Sequence, residues 1–140
     1  MKIFISADIE WVNYASAKLK SNETNFSTEN ERINNLYTSV INYRIGGEFR
    51  SGVFRFRAGY NYLNDPMKNS EAINRAKSIY SAGLGYRKKA FYIDMTFLYS
   101  TSKGIRAPYI IYPDQEIGPT PIADINYNTT SLVITGGFLF

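Results

Sequence analysis

The chain of 140 residues contains no cysteine and no histidine. Without cysteine there are no disulfides, no thiolate nucleophiles and no sulfur-ligated metals. Without histidine the usual general base and the commonest metal ligand are gone. No strand-turn serine motif of the nucleophile-elbow type occurs, and no histidine exists to serve a serine. Paired carboxylates of the retaining-glycosidase kind remain compatible with the composition, but nothing in the sequence positions them. The expectation is therefore a non-enzyme with no catalytic residues, no cofactor and no metal. A run of about 18 apolar residues is also lacking, which excludes a transmembrane helix. Proline is scarce, and all five (Pro66, Pro108, Pro113, Pro119, Pro121) fall between the patterned segments, where no ladder hydrogen bond is lost.

Aromatic residues are abundant: Tyr 12 and Phe 9, at a mean hydropathy of only -0.27. The two facts reconcile if apolar residues alternate with polar ones. The last stretch, Tyr127 to Phe140, sets the pattern. Leu132, Ile134, Phe138 and Phe140 share one face with Thr130 and Gly136, and small polar residues dominate the other. This is the period-two signature of a strand with different solvents on its two faces. A closing strand ending in phenylalanine also suits the signal read by the bacterial barrel-assembly machinery, for which these four residues are the candidates. The alternative is the last strand of a soluble sandwich.

Five more segments alternate in the same way. Ile3, Ile5, Ala7, Ile9 and Trp11 oppose Ser6, Asp8 and Glu10; Tyr37, Ile41, Tyr43, Ile45 and Phe49 oppose Thr38, Asn42, Arg44 and Glu48. Phe54 to Tyr62, Tyr80 to Arg87 and Phe91 to Ser100 follow suit. Between them, polar stretches at 18–32, 64–75 and 101–126 read as long loops, and Ser51-Gly52 and Lys88-Lys89 as tight turns. Long and short connections thus alternate strictly, as in transmembrane barrels with long extracellular loops and short periplasmic turns. Two-residue turns at those sites predict Glu48 opposite Arg55, Asn42 opposite Asn61, Tyr43 opposite Tyr60, and Gly83 opposite Asp94. The fold expected is all-β, an antiparallel up-and-down transmembrane β-barrel in the bacterial outer membrane, its C-terminus periplasmic and membrane lipid its surroundings. Single-chain barrels start at about eight strands, so these six are expected to be the C-terminal strands of a larger barrel. Residues 1–140 then form a C-terminal segment of one barrel domain, and the signal peptide and earlier strands are absent, since Asp8 and Glu10 interrupt any signal-like apolar start.

Glu48, Arg55, Arg57, Arg87 and Asp94 fall on the polar face near the short turns. In a barrel they would line the lumen, either as a constriction or track for an anionic head group or as a cross-strand ion-pair ladder that stabilises the wall. Tyrosines gather at one end of the apolar stripes and phenylalanines, with Tyr86, at the other, as aromatic girdles do. Tyr109, Ile110, Ile111 and Tyr112 form an apolar patch in the last loop, placed either to touch an extracellular partner or to fold over the barrel mouth. Arg55-Phe-Arg-Ala-Gly-Tyr60 interleaves basic and aromatic residues, but alternation sends the two kinds to opposite faces. Stacking and phosphate contacts would not converge, so no nucleic-acid partner is expected.

Arg57-Ala-Gly-Tyr60, then Asp65-Pro66, Ser81-Ala-Gly-Leu-Gly-Tyr-Arg87 and Phe91-Tyr-Ile-Asp94 resemble the C-terminal part of the FadL-type outer-membrane transport family. Gly46-Gly-Glu-Phe-Arg50 and Gly136-Gly-Phe-Leu-Phe140 are similar to its strand ends. The likeness runs from about Ile33 to Phe140. It implies a barrel of about fourteen strands, of which these are the last six, and uptake of long-chain fatty acids or other hydrophobic small molecules. The family's N-terminal plug and early strands have no counterpart here, so no ligand site carries over. Because some members are secretion or assembly components, a barrel that binds partner proteins through its loops is the second expectation.

Overall fold

A computed structural model describes residues 1–68, 73–106 and 122–138. Six strands form one antiparallel sheet in sequence order: β1 Lys2–Asn13, β2 Ser39–Ser51, β3 Phe54–Leu63, β4 Lys77–Arg87, β5 Phe91–Arg106 and β6 Ala123–Phe138. Each strand pairs with its sequence neighbour. The sheet is open: β1 and β6 are its edges, and they do not pair with each other.

The alternation assigns the faces correctly. One row crosses all six strands as Ile3, Phe49, Phe56, Leu84, Met95 and Ile134. The next row on that face is Ile5, Gly47, Ala58, Ala82, Phe97 and Leu132. A third carries Tyr60, Tyr80 and Tyr99 in adjacent strands. None of the described residues covers this face: Ile5 is 71% exposed, Leu84 54% and Ile134 64%. The polar face is the more enclosed one, with Asn42 at 4%. Val40 is the only buried hydrophobic residue among those described. A water-soluble sheet does the reverse, hiding its apolar face. The described residues supply no second layer over this face, as a soluble sandwich would require.

The hairpin registers differ from the sequence expectation by two residues. Ser51 pairs with Phe54, so Glu48 faces Arg57 rather than Arg55, Arg44 faces Asn61, and Tyr43 faces Tyr62. The turn centres on Gly52-Val53, with Gly52 at φ 55°. Glycine takes the first central position of a hairpin turn at no steric cost, and a serine there would be strained. Likewise Arg87 pairs with Tyr92 and Gly85, not Gly83, faces Asp94. The Lys88 N–H donates to the Phe91 carbonyl at 2.9 Å, so Lys89-Ala90 occupies the centre of that turn. A shift of two preserves every side chain's face, whereas a shift of one would have inverted it.

Two long loops hold more structure than their polarity suggests. Within 18–32 begins a helix, α1, Ser27–Leu36, preceded by a 3₁₀ turn at Tyr14–Ser16. None of its residues is buried, so no apolar periodicity betrays it. It is held by polar contacts: Asn30 accepts from the Leu19 N–H at 2.7 Å and donates to the Leu19 carbonyl at 3.0 Å. Lys68 Nζ donates to the Asn34 carbonyl at 2.8 Å. The last hairpin also continues past the expected strand ends, to Arg106 and Ala123.

Candidate functional site

The five polar-face residues singled out in the sequence come together, and Arg50 joins them. Glu48 is the hub. It accepts from Arg57 Nε at 2.6 Å, forms an ion pair with Arg50 Nε, and lies 3.6 Å from Arg55 Nη1. Arg57 Nη1 also donates to Asp94 Oδ1 at 2.6 Å, and Arg87 Nη2 lies 3.7 Å from Asp94 Oδ2. Four strands are thereby tied across one face. Both carboxylates are well enclosed, at 13% and 15% side-chain exposure, and Arg50 and Arg87 reach further into solvent. The Arg87 guanidinium also stands 5.1 Å from the Tyr92 ring centre, within cation–π range.

Local backbone choices make the network fit. Gly83 and Gly85 lie beside Arg57 and Arg55 in β3 and beside Thr96 and Asp94 in β5. A Cβ on Gly85 would collide with Asp94 Oδ1 and approach Arg55 Cβ at 3.3 Å. The missing side chains leave a shallow floor over which the long charged ones lie across the strands.

The register puts Lys2, Arg50 and Arg55 side by side. Adjacent like charges repel, and Glu48 offsets part of this. Five cations (Lys2, Arg50, Arg55, Arg57, Arg87) against two carboxylates leave an excess of three positive charges at this end of the face. Arg55 Nε is buried without a hydrogen-bond partner among the described residues. The arrangement is a guanidinium-rich surface able to engage an anionic oxygen in bidentate fashion. Arg50 escaped sequence reasoning only as a cluster member. Its parity with Glu48, two residues away, already placed it on the same face.

A second polar cluster lies nearer the long loops. Arg44 donates to Asp8 Oδ2 at 2.6 Å and to Glu10 Oε2 at 3.2 Å, and Asn42 Nδ2 donates to the same Glu10 oxygen at 3.1 Å. Asn42 Oδ1 accepts the Asn64 N–H at 3.0 Å. Next to it Asp65, 8% exposed, accepts the N–H groups of Met67 and Arg75 at 2.9 and 2.8 Å. This anchors the 64–75 connection to the end of the sheet. The individual residues were visible in the sequence, but their meeting depends on pairings of high sequence separation.

On the apolar face the rings form two belts. Tyr62, Tyr43, Tyr60, Tyr80 and Tyr99 make a chain of contacts with centroids 4.9, 6.2, 5.0 and 6.4 Å apart. Toward the short turns Phe54, Tyr86 and Phe91 do the same at 5.6 and 5.7 Å, with Phe49 and Phe56 at 6.1 Å. Leu132, Ile134 and Phe138 project on this face, 60%, 64% and 77% exposed. Phe140 and the patch Tyr109, Ile110, Ile111 and Tyr112 lie outside the described residues. No group of side chains able to hold a metal occurs among the described residues, and no described helix is long and apolar enough to cross a membrane. Comparison with protein-family models, curated proteins and solved structures finds no match to this chain.

Proposed function

We propose that this sheet is part of the wall of a β-barrel spanning the bacterial outer membrane, with the short turns periplasmic. The observation that carries the reading is the inversion of its faces: large apolar side chains on the open face, charged networks on the enclosed one. In lipid the open face meets hydrocarbon and the polar face a water-filled or ligand-filled lumen. The spacing of the belts supports it. Phe91 and Tyr99 are eight positions apart in β5, about 27 Å along a strand and about 20 Å along the normal at a tilt near 40°. The apolar band of such barrels is about 25 Å tall.

The barrel takes up hydrophobic small molecules, long-chain fatty acids among them, in the manner of the FadL-type family that the strand motifs resemble. The cationic excess around Glu48 and Asp94 suits a carboxylate head group entering the lumen. The unpaired edges are completed by further strands to about fourteen. Barrel-assembly machinery inserts the wall, reading the apolar face of β6. The test is uptake of radiolabelled oleate by cells with and without the full-length protein. Reduced uptake on deletion is expected, and unchanged uptake would count against transport.

A second reading has one observation in its favour. The β5–β6 ladder runs beyond the Tyr99 row to Arg106, a protruding hairpin on which a partner protein could rest. Pull-down of a stable partner that is lost when residues 101–126 are shortened would favour an assembly or secretion role.

A further inference from the structure

Lysine does not favour the backbone of a two-residue hairpin turn, yet Lys89 opens the centre of this one and Lys88 flanks it. The register gives Lys88 a particular place. It continues the apolar-face parity of Leu84 and Tyr86, and it is hydrogen-bonded to Phe91. A cation therefore occupies the last position of the apolar stripe, and Lys89 follows it in the turn. Both are exposed, and neither has an ion pair or side-chain hydrogen bond among the described residues. Among the described residues the carboxylates at this end, Glu48 and Asp94, belong to the other face and are engaged there.

Immediately beside this turn the apolar face carries a groove of about 390 Å³. Its walls are two neighbouring rows: Phe56, Leu84 and Met95, then Phe54, Tyr86 and Ile93. Apart from the Tyr86 phenol, these side chains offer a ligand nothing polar. A chain of methylenes fits such a slot, and Lys88, two residues beyond Tyr86 on the same parity, suits a phosphate.

We propose that this groove and turn form a site for an anionic phospholipid, one acyl chain lying in the groove and the phosphate at Lys88 and Lys89. The inference rests on the membrane reading above, which puts the short turns at the phospholipid leaflet. Each lysine near an anionic head group contributes about a fivefold gain in affinity.

The test uses the chain extracted from membranes in mild detergent, with dioleoylphosphatidylglycerol or dioleoylphosphatidylcholine added and lipid retention read by native mass spectrometry. Retention of the phosphatidylglycerol well above that of the phosphatidylcholine is expected. K88Q/K89Q, which alters only exposed turn positions, should lower phosphatidylglycerol retention by up to roughly 25-fold and leave phosphatidylcholine unchanged. Leu84→Trp, which fills the groove, should lower retention of both. Equal retention of the two lipids, indifference to K88Q/K89Q, or a second copy of the chain in place of lipid would overturn the site. Flotation with phosphatidylcholine vesicles separates the two claims. A chain that fails to float ends the membrane reading and this inference with it, whereas one that floats without preferring phosphatidylglycerol ends the inference alone.

Discussion

Glu48 and Asp94 are the two acceptors to which four arginines converge, and Arg57 alone bridges them. Removing a bridging cation leaves two enclosed carboxylates short of donors, which is costlier than losing an exposed ion pair. Arg57→Ala is expected to lower stability by about 1–3 kcal/mol, read as the urea midpoint in detergent or lipid. Oleate uptake measured alongside separates wall from ligand track: intact uptake with lowered stability assigns the network to the wall. Gly85→Ala tests the same network from beneath. Its Cβ displaces the Asp94 carboxylate, so a loss of about 1–3 kcal/mol is expected, and an unchanged midpoint would mean that Asp94 moves aside freely. Each residue's face was legible from parity alone. Each ion-pair partner was not, because partners depend on the turn centre, and Gly52 moved that centre by one position in β2 and one in β3.

Strands show where the sequence pattern is strong and where it fades. Inside the aromatic belts, alternation fixes every face. Beyond Tyr99 both faces are mixed, with Lys103 and Ile105 on one and Ile125 and Tyr127 on the other, and the ladder between Ser100 and Arg106 has no alternation to reveal it. Helix α1 was missed for a related reason: a short helix with no buried side chain has no stripe. Where alternation exists it makes a sharp prediction. Phe97 and Leu98 are consecutive in β5, of similar hydrophobicity, and on opposite faces. In lipid, Phe97→Arg is expected to destabilise the fold by about 2–4 kcal/mol, as a cation near the bilayer midplane does, while Leu98→Arg on the opposite face costs far less. Equal effects on the unfolding midpoint would contradict the assignment of faces.

At the scale of the molecule, the sheet has an apolar surface that none of the described residues covers and two edges with unpaired backbone groups. In water both promote aggregation, so the chain should fold only in detergent or lipid. The absence of cysteine makes a direct test clean. After reconstitution into vesicles, Thr96→Cys is expected to react with a water-soluble maleimide, and Met95→Cys, its neighbour on the apolar face, to stay protected. Comparable labelling of both would place neither face in lipid. The edges carry one more consequence. With six strands alternating in sense, β1 and β6 run in opposite directions. A cylinder completed from here by antiparallel neighbours must gain an even number of strands, since an odd number would force one parallel seam. Parity thus makes the hairpin, not the single strand, the smallest unit by which such a cylinder could be closed.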